Sequence, residues 1–504
     1  MGKVAVIGAG MAAMAAAARL ATGGHDVVVH ERARTYGGAL GRFERDGFAF
    51  DNGPGLLVLP AVYRDLFVKT GREPLESRVE LVQTDPAARH LFADGTVLTL
   101  PNASRAGAVA ALDAAFGLGS GERWSDLLVR AREVWEVTRR PLLEAVLTGP
   151  DRLAGDPYPA LRRRGLFRRA PLLADVAAGE LGGDPRPAAL LESHALAYGL
   201  DPRRAPAAAT VLPYLEEAFG VWYVRGGLRA LADALYARCL ERRVEFRFES
   251  EVAGPVVVDG RVAGIAFAGG GTEAADTVVV GAPLPSLYGG GGLVKDAAGP
   301  VDEPGRCTVH VALRGSRPVG AAHRTVVHAA DRTKALDWVF SAKSRDPLPV
   351  PGALTVTVLR PDDPAVRPDA GHEAVTVTAT VPRHDTARGG SGLDWTAGDL
   401  AESCAERMLA VAEAAVPGLR ERELWHEVRT PADTERDTAV PGGSVPPPSL
   451  AGLSGALFRP ANRSPIPGLY LVGGWSHPGG GLPHAGMSAA ITADLISGGP
   501  GGSR

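Results

Sequence analysis

The stretch Val4-Ala5-Val6-Ile7-Gly8-Ala9-Gly10-Met11-Ala12-Ala13 limits what this chain can fold into more than any other. A continuous apolar run is how a strand buried on both faces reads, and here it feeds straight into a small-residue turn and a helix. Gly8 permits the tight turn, Gly10 lets the backbone approach a pyrophosphate, and Ala13, in the place of a third glycine, keeps the helix close to the sheet. The amides of Met11 and Ala12 and the positive end of the helix dipole then face the phosphates. Asp26 to His30 reads as the second parallel strand. Glu31 follows it, about 20 residues from the glycines, where a carboxylate binds ribose hydroxyls and disfavours a 2′-phosphate. The expectation is an α/β fold that holds a dinucleotide other than NADP.

At 504 residues the chain is long enough for two or three domains with a sizeable core. Hydrophobic residues at 45%, charged residues at 22% and a net charge of −3 give no electrostatic case for nucleic acid or an acidic partner. Cys239, Cys307 and Cys404 have neither disulfide-framework nor metal-site spacing, so no metal is expected. A strand beginning within three residues of Met1 leaves no room for a secretory leader, which predicts a cytoplasmic protein. The apolar run Ala12 to Ala18 is too short to span a bilayer, so any membrane contact is expected to be peripheral. Leu161 to Leu173 mixes five arginines with Leu and Phe; it reads equally as a surface for anionic lipid and as a solvated helix face.

After Glu31 come Arg32 and, further on, Gly37-Gly38-Ala39, then Asp51-Asn52-Gly53-Pro54-Gly55. These resemble the flavoprotein superfamily that holds amine oxidases and carotenoid desaturases. There an acid followed by a Gly pair forms a second loop around the FAD phosphates, and a D-x-G-P stretch passes the flavin. The other end of the chain matches. Ile466 to Gly473-Gly474 reads as a buried strand ending in glycines, Trp475 to Pro483 as a loop, and His484 to Ile496 as a helix. The resemblance implies that this strand closes an FAD domain and that the helix start, with Gly481, Leu482, Pro483 and Ala485, stabilises charge on the flavin. It implies contacts from Val252, Gly281 and Ala282 as well. LYLVGGWSHPGGGLPHAGMSAAI is similar to the bacterial phytoene desaturase branch, as are Pro213 to Tyr223, Gly226-Gly227-Leu228, Pro441 to Ser444 and Leu457 to Pro460. Three positions depart from that pattern: Ala39 replaces an Arg, Gly55 a Ser or Thr, and Trp475-Ser476 a Gly-Thr pair.

The implied fold is an FAD-binding Rossmann-like domain of the GR2 type, built from discontinuous segments with an inserted α+β substrate domain. Residues 1–75, 222–290 and 455–498 would bind FAD, 76–221 and 291–454 would form the substrate domain, and 499–504 a disordered tail. Strands are expected over Val244 to Phe248, Val262 to Phe267 and Asp276 to Val280. A second sheet over the flavin is expected from residues 91–100, Thr308 to Leu313, Leu354 to Leu359 and Ala374 to Val381, with helices across 103–240 and a rigid linker at Pro446-Pro447-Pro448. The implied chemistry is FAD-dependent desaturation of a hydrophobic isoprenoid or polyene, with hydride passing to flavin N5 and oxygen or a quinone as electron acceptor. His477 is the acid/base candidate by position, Trp475 lies by the flavin, Arg459 and Glu216 are candidates for the cavity wall, and His484 is read as capping the last helix. Two alternatives stand beside this: a flavin oxidase of a smaller amine or polyketide-like metabolite, and a non-enzymatic prenyl-binding relative.

Overall fold

The computed structural model describes residues 2–147, 155–159, 171–283, 303–341, 346–387, 390–452 and 459–498. The arginine-rich stretch, apart from its last residues, and the expected tail at 499–504 lie outside these. A five-stranded sheet runs in the order Glu245–Arg247, Asp26–His30, Lys3–Ile7, Thr277–Val280, Leu469–Leu471, with every pair parallel. Strands from the start, middle and end of the chain meet here because all but the edge strand Glu245–Arg247 carry a Val/Leu-rich run that only a sheet covered on both faces can bury. Helix Met11–Thr22 covers one face; Ala15, Ala16, Ala17 and Ala18 are fully buried on it. Their small side chains let the final helix, Leu482–Ser497, pack directly against it. The hairpin Val252–Val258 and Arg261–Phe267, extended by Thr272–Ala274, covers the other side through Val262 and Ile265.

A second sheet has seven strands, ordered Glu423–Arg429, Gly305–Arg314, His372–Val381, Val356–Leu359, Arg324–Val327, Ala88–Leu91, Val97–Leu100. All pairs are antiparallel except Arg324–Val327 with Ala88–Leu91. Alternation sorts its faces: Cys307, Val309, Val377 and Val358 pack toward helix Leu400–Ala412, whose Cys404, Met408 and Leu409 complete that core. Each large aliphatic buried this way contributes about 1.5–3 kcal/mol. Helices Arg105–Phe116, Ser120–Arg139, Leu173–Glu180, Pro185–Ala197 and Val211–Phe219 form a third layer around Trp124, Leu127 and Leu190.

Two expectations need correction. Residues 91–100 are not one strand: Asp94-Gly95 turns the chain, with Gly95 at φ +85°, and the two arms pair as a hairpin. Pro446-Pro447-Pro448 is no linker; the Gly480 amide donates to the Pro447 carbonyl (3.0 Å) and the Ser449 amide to Pro478 (2.9 Å), which packs the segment onto the loop before the last helix.

Candidate active site

The glycine loops form one cradle. The Gly37 amide donates to the Ala9 carbonyl (2.8 Å) and the Asn52 amide to Gly41 (2.9 Å), tying the second and third loops to the first. A Cβ on Gly53 would lie 2.2 Å from the Ala39 carbonyl, and one on Gly38 3.1 Å from Gly10 Cα, so neither position has room for a side chain. Glu31 accepts from the amides of Ala9 (2.6 Å) and Ala33 (2.9 Å), which fixes its carboxylate at the mouth of the first turn. Asp51 accepts from the amides of Leu228 (2.7 Å) and Arg229 (3.1 Å), stapling the third loop to the start of helix Leu228–Glu241. Burial raises the Asp51 pKa to about 6 despite those bonds.

These loops open on a single cavity of about 1720 Å³ that continues beneath the seven-stranded sheet. Every residue expected to hold the dinucleotide lines it: Gly8 to Ala13 without Ala9, Glu31, Arg32, Gly37 to Ala39, Gly53 to Gly55, Val252, Gly281, Ala282, Gly473, Gly474, Gly481 to Pro483, and Ala485. Space for a ligand is visible at Gly10, where a Cβ would meet no protein atom within 4 Å. A pyrophosphate needs such a bare, amide-rich turn at a helix start, so the residues present fit FAD.

The four catalytic candidates separate. Trp475 lines the cavity, and Arg459 stands behind it, its guanidinium 4.8 Å from the indole centroid and paired with Glu303 at 2.8 Å. Arg459 therefore positions Trp475 and does not line the cavity. Glu216 does line it, paired with Arg324 through two bonds (3.0 and 2.5 Å) and with His194 Nε2 3.7 Å away. Burial alone would raise its pKa, but Arg324 and His194 hold it well below the usual carboxylate range, so Glu216 stays ionised. His477 is not among the cavity-lining residues: its ring is fully buried, while its carbonyl accepts from Asn462 (2.8 Å) and Ser488 (2.9 Å). Nor does His484 cap the last helix, which begins at Gly481 without a side-chain cap; the His484 ring is buried beside that glycine.

The sequence reading missed Arg306, Arg324, His194 and Tyr198, which line the part of the cavity under the second sheet. A polar residue at every second position of Arg306 to His310 is the trace that Arg306 leaves in the sequence.

Burial lowers the pKa of both His477 and His484 to about 4. An unfolded chain protonates its histidines near pH 6.5 while the folded state keeps these two neutral. Stability is therefore complete above about pH 6.5 and declines by up to about 1.4 kcal/mol per pH unit for each as the pH falls toward 4. Melting curves across that window should show a falling midpoint; a midpoint independent of pH there would contradict this environment for the two rings.

A parallel sheet with a glycine cradle at its first turn, an acid ending its second strand and a helix starting at the same cavity defines a dinucleotide-binding fold. The chain belongs to the flavin-containing amine oxidoreductase family, whose sequence pattern matches residues 11–364. It is thus an FAD-dependent oxidoreductase. A 4,4′-diapolycopene oxygenase from Methylomonas sp. is 28% identical over 98% of each chain. A zeta-carotene-forming phytoene desaturase from Myxococcus xanthus is 28% identical over 98% of this chain and 93% of its own. Among solved structures, an oxidoreductase from Methanosarcina mazei superposes with a TM-score of 0.64 at 16% identity, over 97% of this chain and 99% of that one. Among the described residues no helix is long and apolar enough to cross a membrane.

Proposed function

We propose that this protein is a desaturase or dehydrogenase of a hydrophobic isoprenoid or polyene chain. The observation that carries the reading is the continuity of the cavity. At about 1720 Å³ it exceeds the roughly 300–1,000 Å³ of ordinary small-molecule sites, leaving room beyond a dinucleotide for a long second ligand. The relatives named for carotenoid chemistry, aligned over nearly their whole length, support the same reading.

In this account the described parts of 1–75, 222–290 and 455–498 form the FAD-binding domain, and those of 76–221 and 291–454 the substrate domain. Gly8, Gly10 and the amides behind them receive the pyrophosphate, and Glu31 the ribose. Bound flavin supplies the two-electron acceptor that removal of two hydrogens requires. Trp475, held by Arg459, shapes the wall against which the chain lies, and the enclosure keeps water away. Glu216, fixed as a carboxylate by Arg324, orients the polar wall and exchanges no proton. Oxygen or a quinone takes the electrons onward, and the substrate arrives from a membrane surface.

The test is coexpression in cells that accumulate phytoene or the shorter diapophytoene. Lipid extracts should gain polyene absorption bands at longer wavelength. Unchanged extracts from cells containing the flavin-loaded protein would refute both hydrocarbons as substrates.

A further inference from the structure

The cavity ceiling is more polar than a hydrocarbon requires. On the seven-stranded sheet the side turned to helix Leu400–Ala412 is apolar, whereas Arg306, Thr380, Thr378, Thr357, Arg324 and His90 line the cavity. Register makes this one continuous stripe: Arg306 stands opposite Thr380, and Thr378 opposite Thr357. Apart from Arg306, three of these six groups have partners within the protein. Thr380 donates to the Leu196 carbonyl (3.0 Å), Arg324 is neutralised by Glu216, and His90 Nδ1 lies 3.0 Å from His328 Nε2.

Arg306 is different. It donates from Nη2 to the Ala197 carbonyl (2.7 Å), and among the described residues it has no carboxylate partner. Its other donors are not sealed into the protein; they belong to a side chain on the cavity wall. Beside it Tyr198, whose ring edge would be 3.4 Å from a Cβ on Gly481, also lines the cavity and interacts electrostatically with Arg306, Arg324 and Glu216. Since Glu216 cancels Arg324, one positive charge is left over on the half-buried cavity wall. A guanidinium does not release its proton there. Its remaining donors face the cavity without an anionic partner among the described residues, and its planar fork matches a carboxylate in a two-bond geometry.

Building on the reading of the cavity as a site for a long hydrophobic chain, we infer that the substrate is amphipathic: an isoprenoid or polyene ending in a carboxylate, which Arg306 receives with Tyr198 beside it. The apolar part extends along the cavity toward Trp475, and the anionic end sets which stretch of the chain faces the reacting region. Arg306 is then a specificity residue for chain end and register, without a part in bond breaking.

The experiment uses the flavin-loaded protein and two fluorescent polyene probes, cis-parinaric acid and its methyl ester, which differ only in charge at one end. The acid should bind at least about tenfold more tightly than the ester, about 1.4 kcal/mol. Arg306→Gln should bring the acid down to the ester while ester affinity and flavin content stay as they were, and Arg306→Lys should keep part of the preference. Equal affinities in the unmodified protein, or a preference that survives Arg306→Gln, would overturn the inference and leave the hydrophobic-chain reading standing. Failure of both probes to bind would overturn that reading and the inference together.

Discussion

Gly10→Val should give a folded protein that holds no FAD. The backbone at Gly10 is at φ −73°, ψ 168°, which any residue adopts, and a Cβ there touches nothing of the protein within 4 Å. The added Cβ therefore enters open space in the cavity, at the turn proposed to receive the pyrophosphate. Circular dichroism and the melting point of the flavin-free form should match those of the flavin-free parent. Adding FAD should raise the parent's stability, by about 2.7 kcal/mol at a hundredfold excess over Kd, and leave the variant where it was. Gly38→Val is the contrast. Gly38 has φ +56° and lies against Gly10 Cα, so that change strains the two loops themselves and should lower stability even without cofactor. A yellow Gly10→Val protein with the parent's FAD affinity would place the dinucleotide somewhere else.

Glu216→Ala should destabilise the fold by about 3–5 kcal/mol, because it strands Arg324 in an enclosed wall. The pair is two-pronged, and its partners come from helix Val211–Phe219 and strand Arg324–Val327, so it joins the helical layer to the second sheet. Removing Arg324 alone should cost a similar amount by stranding the carboxylate. The double variant should cost less than the sum by a coupling of about 1–3 kcal/mol, since neither charge is then left alone. Denaturant unfolding of the four proteins measures this. Additive losses, or a Glu216→Ala change within about 0.5 kcal/mol of the parent, would mean that the pair is solvated and does not structure the wall.

The glycine cradle of this molecule was legible from its residues, and the polar wall of its cavity was not. A pyrophosphate cradle demands bare backbone at set spacings, so Gly8, Gly10, Gly37 and Gly38 are conspicuous in the text of the chain and meet in space. The closing strand Leu469–Leu471 and the helix after it were equally visible from their apolar run and glycine bracket. Arg306 belongs to a strand whose alternation shows one apolar and one polar face. Alternation alone does not say whether the polar face meets solvent or a cavity, and here tertiary packing decides for the cavity. His477 shows the converse: its position in the flavin loop suggested chemistry, yet the fold turns the ring inward and uses the carbonyl to order Asn462 and Ser488.

The measurement closest to the central claim is an anaerobic titration of the flavin-loaded protein with a polyene or isoprenoid chain presented in lipid vesicles. The visible absorption of the flavin should be lost in proportion to a new, longer-wavelength polyene band, and admitting oxygen or a quinone should restore it. A flavin that keeps its spectrum against every such chain, yet loses it with a small amine, would contradict the account and make this protein an oxidase of polar metabolites.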